Sequence, residues 1–141
     1  MHKWGGDNLK RTASVVFAFI LLAALLSACS EKTYRINDII DLKDEQPVSI
    51  VIRFDDPSYE PVEINNKDDI DMIVSKLTAQ SYKKVSSNAP APLGNTSCEL
   101  RYSDGSSVRI GAVYVKDRNG ILFKADSNEL TALLESFNHN G

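Results

Sequence analysis

The chain has 141 residues, with 16 Lys and Arg against 19 Asp and Glu, for a formal charge of −3. That length leaves room for one small domain beyond a targeting segment, and the acidic balance argues against nucleic acid as a partner. Two cysteines and two histidines leave little material for a disulfide framework, a zinc cluster or histidine-based catalysis.

The amino-terminal stretch carries the strongest signal. Lys3, Lys10 and Arg11 precede an uncharged, almost wholly apolar run from Ala13 to Leu26, which ends in Ser27-Ala28-Cys29. A basic segment, an apolar segment and small residues before a cut site make a secretory signal. The run from Ala13 to Ala28 has 16 residues, whereas a membrane-spanning helix needs about 20.

Leu26-Ser27-Ala28-Cys29 resembles the lipobox of bacterial lipoproteins. The resemblance implies a diacylglyceryl group on the Cys29 sulfur, cleavage just before that residue, and a protein held on the extracytoplasmic face of the cell membrane. One acyl chain holds a protein only marginally, and two hold it firmly. Taken whole, the chain resembles small lipoproteins of Bacillus-like Gram-positive bacteria. That wider likeness rests on the lipobox and, loosely, on the hairpin Tyr102-Ser103-Asp104-Gly105-Ser106 and a two-helix layout; it supplies no activity.

Residues 1–28 therefore read as a signal peptide, 29–46 as a polar, lipidated tether, and 47–141 as a small domain. Cleavage leaves 113 residues with 13 basic and 18 acidic side chains, a formal charge of −5. Such a charge predicts no electrostatic help at an anionic membrane, so the lipid alone does the anchoring. With Cys29 lipidated, Cys98 has no intrachain partner and reads as a small buried hydrophobe.

Within the domain, Val48, Ile50, Ile52 and Phe54 alternate with Ser49, Val51 and Arg53, as a strand with one apolar face does. Val62 and Ile64 predict a second short strand. Asn66 caps a helix that starts with Asp68 and Asp69 and carries Ile70, Ile73, Val74 and Leu77 on one stripe, ending near Gln80. Tyr82–Val85 is a further short strand. The segment from Ser86 to Thr96, with Pro90 and Pro92, is the longest loop and a candidate binding loop.

Two hairpins follow. A three-residue loop at Ser103-Asp104-Gly105 sets Leu100 opposite Val108, Cys98 opposite Ile110 and Glu99 opposite Arg109. A second turn at Arg118-Asn119-Gly120 pairs Val115 with Phe123 and Val113 with Ala125. The inward parity must switch between Ile110 and Val113, with Gly111 as the natural bulge. A last helix, capped by Asp126 or Ser127 with Glu129 at capping-box spacing, carries Leu130, Leu133, Leu134 and Phe137.

The order predicts an α+β fold: an antiparallel sheet of about five strands with two amphipathic helices packed on one face. The open face would carry Glu99, Arg101, Ser107 and Arg109, and Tyr114 would join it. Arg101, Arg109, Tyr114, Pro90 and Pro92 are the candidate binding residues. No catalytic residue, metal ligand or cofactor is predicted. His139 is the one histidine behind the signal segment, which makes a serine or cysteine triad improbable. Asp117-x-Asn119-Gly120 departs from a calcium loop at its sixth and twelfth positions.

The expected role is a non-enzymatic binding or accessory module of the cell envelope, tethered to the membrane through Cys29 and meeting a protein or envelope partner. A stress sensor or inhibitor that masks another protein is the nearest alternative. A carboxylate hydrolase is the other, and it requires a concave pocket gathering Asp55, Asp56 and a further acid.

Overall fold

The computed structural model describes residues 6–28, 31–86 and 94–138. The chain divides into two compact units, residues 1–32 and 33–141. In the first, α1 runs Gly6–Ala28, and every residue from 9 to 25 is exposed. Among the described residues no helix is long and apolar enough to cross a membrane.

The second unit is α+β. After a short helix, α2 (Ile36–Ile39), come β1 (Ser49–Arg53), β2 (Val62–Ile64), α3 (Lys67–Ala79), β3 (Tyr82–Lys84), β4 (Ser97–Arg101), β5 (Ser107–Gly111), β6 (Tyr114–Lys116), β7 (Leu122–Ala125) and α4 (Glu129–Ser136). The strands are wholly antiparallel but divide into two sheets, ordered β2-β1-β4-β5 and β3-β7-β6. Buried residues of both sheets, α2, α3 and α4 share one core, with Ile36, Ile50, Ile52, Ile73, Leu77, Tyr82, Ile110, Leu130 and Leu134 fully enclosed.

Local sequence chemistry explains most elements. The Asn66 side chain accepts from the amides of Asp68 (2.8 Å) and Asp69 (3.4 Å), satisfying donors at the start of α3 that have no helical partner. Ile70, Ile73 and Leu77 then face the core. The β4–β5 register is Cys98–Ile110, Glu99–Arg109 and Leu100–Val108, as the three-residue loop demands. Gly105 and Gly120 close the two hairpins at φ of +84° and +81°, a region glycine enters without steric cost. Asp104 and Asp117 brace those turns by accepting the Ser106, Asn119 and Ile121 amides.

The division into two sheets is made at one corner. β5 ends at Gly111, the chain bends through Ala112 and Val113, and β6 begins at Tyr114 in the other sheet. The Asn95 side chain holds this corner: its Oδ1 accepts from the Val113 amide (3.1 Å) and its Nδ2 donates to the Tyr114 carbonyl (2.8 Å). Buried positions run Ile110, Ala112, then Val115, so parity switches after Ala112, one turn of the pattern later than a bulge at Gly111 predicts. Gly111 serves a different need, since a Cβ there would lie under 3.0 Å from both the Asn95 side chain and the Tyr114 carbonyl.

Three further expectations are corrected. The domain does not begin at Pro47, because residues 34–46 are folded onto it. Tyr34 exchanges two backbone hydrogen bonds with Tyr82 (2.9 and 2.8 Å), and its ring meets Phe123 edge-on at 5.0 Å. Ile36 and Ile39 enter the core, Arg35 donates to the Ala79 carbonyl at the end of α3, and Lys43 pairs with Asp104 on the first hairpin. Polar composition made this segment read as a tether, but two isoleucines and backbone pairing suffice to dock it. Next, α4 is preceded by Asn128 with no side-chain cap; Asp126 belongs to the strand end, where its amide donates to Ser81 and its carboxylate faces Lys83 at 3.9 Å. Finally, Val51 is buried although it points to the outer face. Arg101 on β4 reaches Glu63 on β2 at 3.8 Å, and that pair passes over β1 and covers it.

Candidate functional site

Cys29, Pro90, Pro92 and His139 lie outside the described residues. Of the other candidates, Arg101 and Arg109 stand on the outer face of the four-stranded sheet, while Tyr114 stands on the outer face of the three-stranded one. The expected single binding face is therefore two faces, separated by the corner at Ala112–Val113.

On the first face Arg101 is engaged. Its Nε lies 3.0 Å from Glu99 Oε1, and Arg53 approaches Glu99 Oε2 at 3.4 Å. The Arg101 hydrogen bond lowers the Glu99 carboxyl below its ordinary range; burial opposes it, and Arg53 adds a lesser lowering effect. Arg109 is opposite Glu99 in register, yet its Nε donates to Ser97 Oγ at 3.0 Å. The Glu99–Arg109 cross-strand ion pair expected from the register is thus replaced by a cluster of Arg53, Glu99, Arg101 and Glu63. Arg109, Lys116 and Arg118 line an open depression of about 630 Å³ together with Asp38, Asp41 and Asp117.

On the second face the register places Tyr114, Lys124 and Lys83 in one row across β6, β7 and β3. Lys116, Leu122 and Val85 form the next row. Lys124 Nζ sits 5.8 Å from the centre of the Tyr114 ring, a cation–π arrangement. Sequence reasoning found Tyr114 but not the lysines, because only the β3–β7 pairing brings Lys83 beside Lys124.

Asp55, Asp56 and Glu135 do line one open depression, of about 400 Å³, beneath Phe54 and Tyr59. Asp56 there is unsuited to serve as a general acid. Asp56 Oδ1 accepts from the Ser58 hydroxyl (2.7 Å) and amide (2.9 Å), and these bonds hold its carboxyl below the usual carboxylate range. A general acid needs the opposite shift. Among the described residues no three His, Cys, Asp or Glu side chains gather to hold a metal.

Cys98 is fully buried, and burial pushes its thiol up from 9.0 to about 12. A neutral, enclosed thiol is neither nucleophile nor metal ligand. Burial likewise raises Tyr82 from 10.0 to about 12, against the lowering influence of Gln80 Nε2, which donates to its hydroxyl at 2.9 Å. Both shifts have one consequence. From about pH 9, the unfolded chain binds fewer protons than the folded one, so stability falls as pH rises through that window toward about 12. Urea midpoints at about pH 8 and about pH 10.5 should show this fall, and Cys98→Ala should make it shallower. In native protein a thiol reagent should modify Cys98 no faster than the domain opens.

No family model matches the chain, and neither a curated protein nor a solved structure matches it.

Proposed function

We propose that the chain is a membrane-anchored extracytoplasmic lipoprotein whose folded unit is a non-enzymatic binding or accessory module of the cell envelope. The observation that carries this reading is the succession of basic residues, apolar run and Leu26-Ser27-Ala28-Cys29. The all-round exposure of apolar side chains from Leu9 to Leu25 supports it, because such a helix demands a lipid or protein cover. The lowered Asp56 carboxyl weighs against that residue as the general acid of the hydrolase alternative.

Arg109 and its depression are the better candidate contact of the two arginines. Arg101 is held by its acidic neighbours, whereas the Arg109 depression gathers Arg109, Lys116 and Arg118 with Asp38, Asp41 and Asp117. Mixed charge of this kind selects a complementary polar surface. A stress sensor or inhibitor that masks another protein differs from an accessory module only in the identity of the partner.

Two measurements test the proposal. Metabolic labelling with a tagged fatty acid should mark the protein in its own cells, and Cys29→Ala should lose the label and leave the membrane fraction. Label retained by Cys29→Ala would count against the anchor. Crosslinking on intact cells should recover a partner. If Arg101→Glu and Arg109→Glu leave that recovery unchanged, the sheet-face contact is wrong.

A further inference from the structure

We infer that the open edge of β5 takes up an extended, acidic segment of a partner protein as an added antiparallel strand. The inference rests on the Arg109 depression being the contact of the binding module, and it names what fills that depression. Its ground is the direction of the backbone groups. The β4–β5 ladder is bracketed by the Tyr102 amide on the Ser106 carbonyl (2.9 Å) and the Ala112 amide on the Thr96 carbonyl (2.7 Å). Bonds of an antiparallel pair fall on alternate residues. Val108 and Ile110 therefore bond with Leu100 and Cys98, while Ser107 and Arg109 turn both N–H and C=O away from β4. Among the described residues no strand lies on that side.

β6 repeats the situation. The Asp117 amide bonds to Ile121 (2.9 Å) and the Val113 carbonyl to Ala125 (2.7 Å), so Lys116 turns its backbone groups outward from the last strand of its own sheet. Unpaired amides and carbonyls in a row are a template for another chain. Both edges border one depression, which Val108 and Arg109 of β5, Lys116 of β6 and Ile40 behind α2 line together. The Asn95 clamp closes its Gly111 end, and Ser107 at the other end is exposed.

Side chains select the segment. Arg109 is the one charged residue of β5 and Lys116 the one charged residue of β6. Among the described residues neither has an ion pair, and Arg109 commits only its Nε, to Ser97 Oγ. Of the acids in the depression, Asp38 and Asp117 already accept backbone amides. A residue opposite Arg109 therefore favours a carboxylate. Its neighbours along the strand point to the other face, where Val108 and Ile40 are half-buried against the core, so they favour apolar side chains. A second copy of β5 fits poorly, because antiparallel pairing about its centre sets Arg109 opposite Arg109.

The test uses the full chain in detergent micelles and an octapeptide of alternating Val and Glu. Amide exchange at Ser107, Arg109 and Lys116, read by NMR, should slow several-fold when the peptide is added. Arg109→Glu and Lys116→Glu should each weaken binding about tenfold or more. Lys67→Glu on α3, an equal change of net charge, should leave it unaltered. Strand pairing uses one set of alternate amides, and opposite Arg109 that set belongs to the Glu residues. N-methylation of the Glu amides should therefore weaken binding about tenfold or more, and N-methylation of the Val amides should not. Equal behaviour of the two methylated peptides, with Arg109→Glu still weakening binding, would overturn strand pairing and leave the depression as a charged contact. No slowing at Ser107 and Arg109 would also overturn the inference, and the contact falls with it if crosslinking on intact cells is indifferent to Arg109→Glu. Slowing that grows with protein concentration and needs no peptide would overturn it in favour of a second copy.

Discussion

Gly111→Ala should lower the stability of the folded unit by about 3 kcal/mol or more, among the largest effects of any single substitution in it. The added methyl has no room. It would lie under 3.0 Å from Asn95 Nδ2 and from the Tyr114 carbonyl, and the second of these is backbone. Relief requires Asn95 to swing away, which abandons its bonds to Val113 and Tyr114. The chain then loses the clamp that turns β5 into β6. Asn95→Ala alone should cost about 1–2 kcal/mol, since it leaves two partly buried backbone groups without their partner. The double variant should cost less than the two separately, because both act on one corner. Thermal unfolding followed by circular dichroism reads all three, at roughly 4–8 °C per kcal/mol for a domain of this size. A Gly111→Ala protein within about 0.5 kcal/mol of the parent would show that the corner tolerates what its geometry forbids.

Ile36→Ala should cost about 2–5 kcal/mol, as deletion of a fully enclosed core side chain does. Ile36 is 0% exposed and sits two residues after the Tyr34 bridge. The prediction separates two pictures of residues 34–46. A tether residue changed to alanine moves stability by no more than about 0.5 kcal/mol; a docked one leaves a cavity beneath α2. Asn37→Ala, at an exposed neighbouring position, is the matched control and should stay near zero. Urea unfolding of both variants decides between the pictures, and equal midpoints would restore the tether.

What was legible in the sequence was whatever a few neighbouring residues determine. Asn66 announced α3 because its side chain satisfies amides two and three positions on. Asp-Gly and Asn-Gly turns fixed both hairpin registers, since loop length sets which residues face each other. Cys98 was readable as buried from its alternation with Glu99. The rest depends on partners far along the chain. Asn95 makes the corner by reaching residues 18 and 19 positions away, so local pattern alone reads two sheets as one and sets Tyr114 on the same face as Arg109. The lysine rows exist only through the pairing of β3 with β7. The docking of residues 34–46 hid behind their polarity. As for function, the sequence places Arg101 among the candidate binding residues, and its engagement by Glu63 depends on strand order, which local pattern does not reveal.

The account stands or falls on Cys29. Mass spectrometry of the protein extracted from its native membrane is the direct measurement. The lipoprotein reading predicts a chain that begins at Cys29 and carries a diacylglyceryl mass on that residue, with residues 1–28 absent. An amino terminus upstream of Cys29, or a Cys29 with a free thiol, would contradict it.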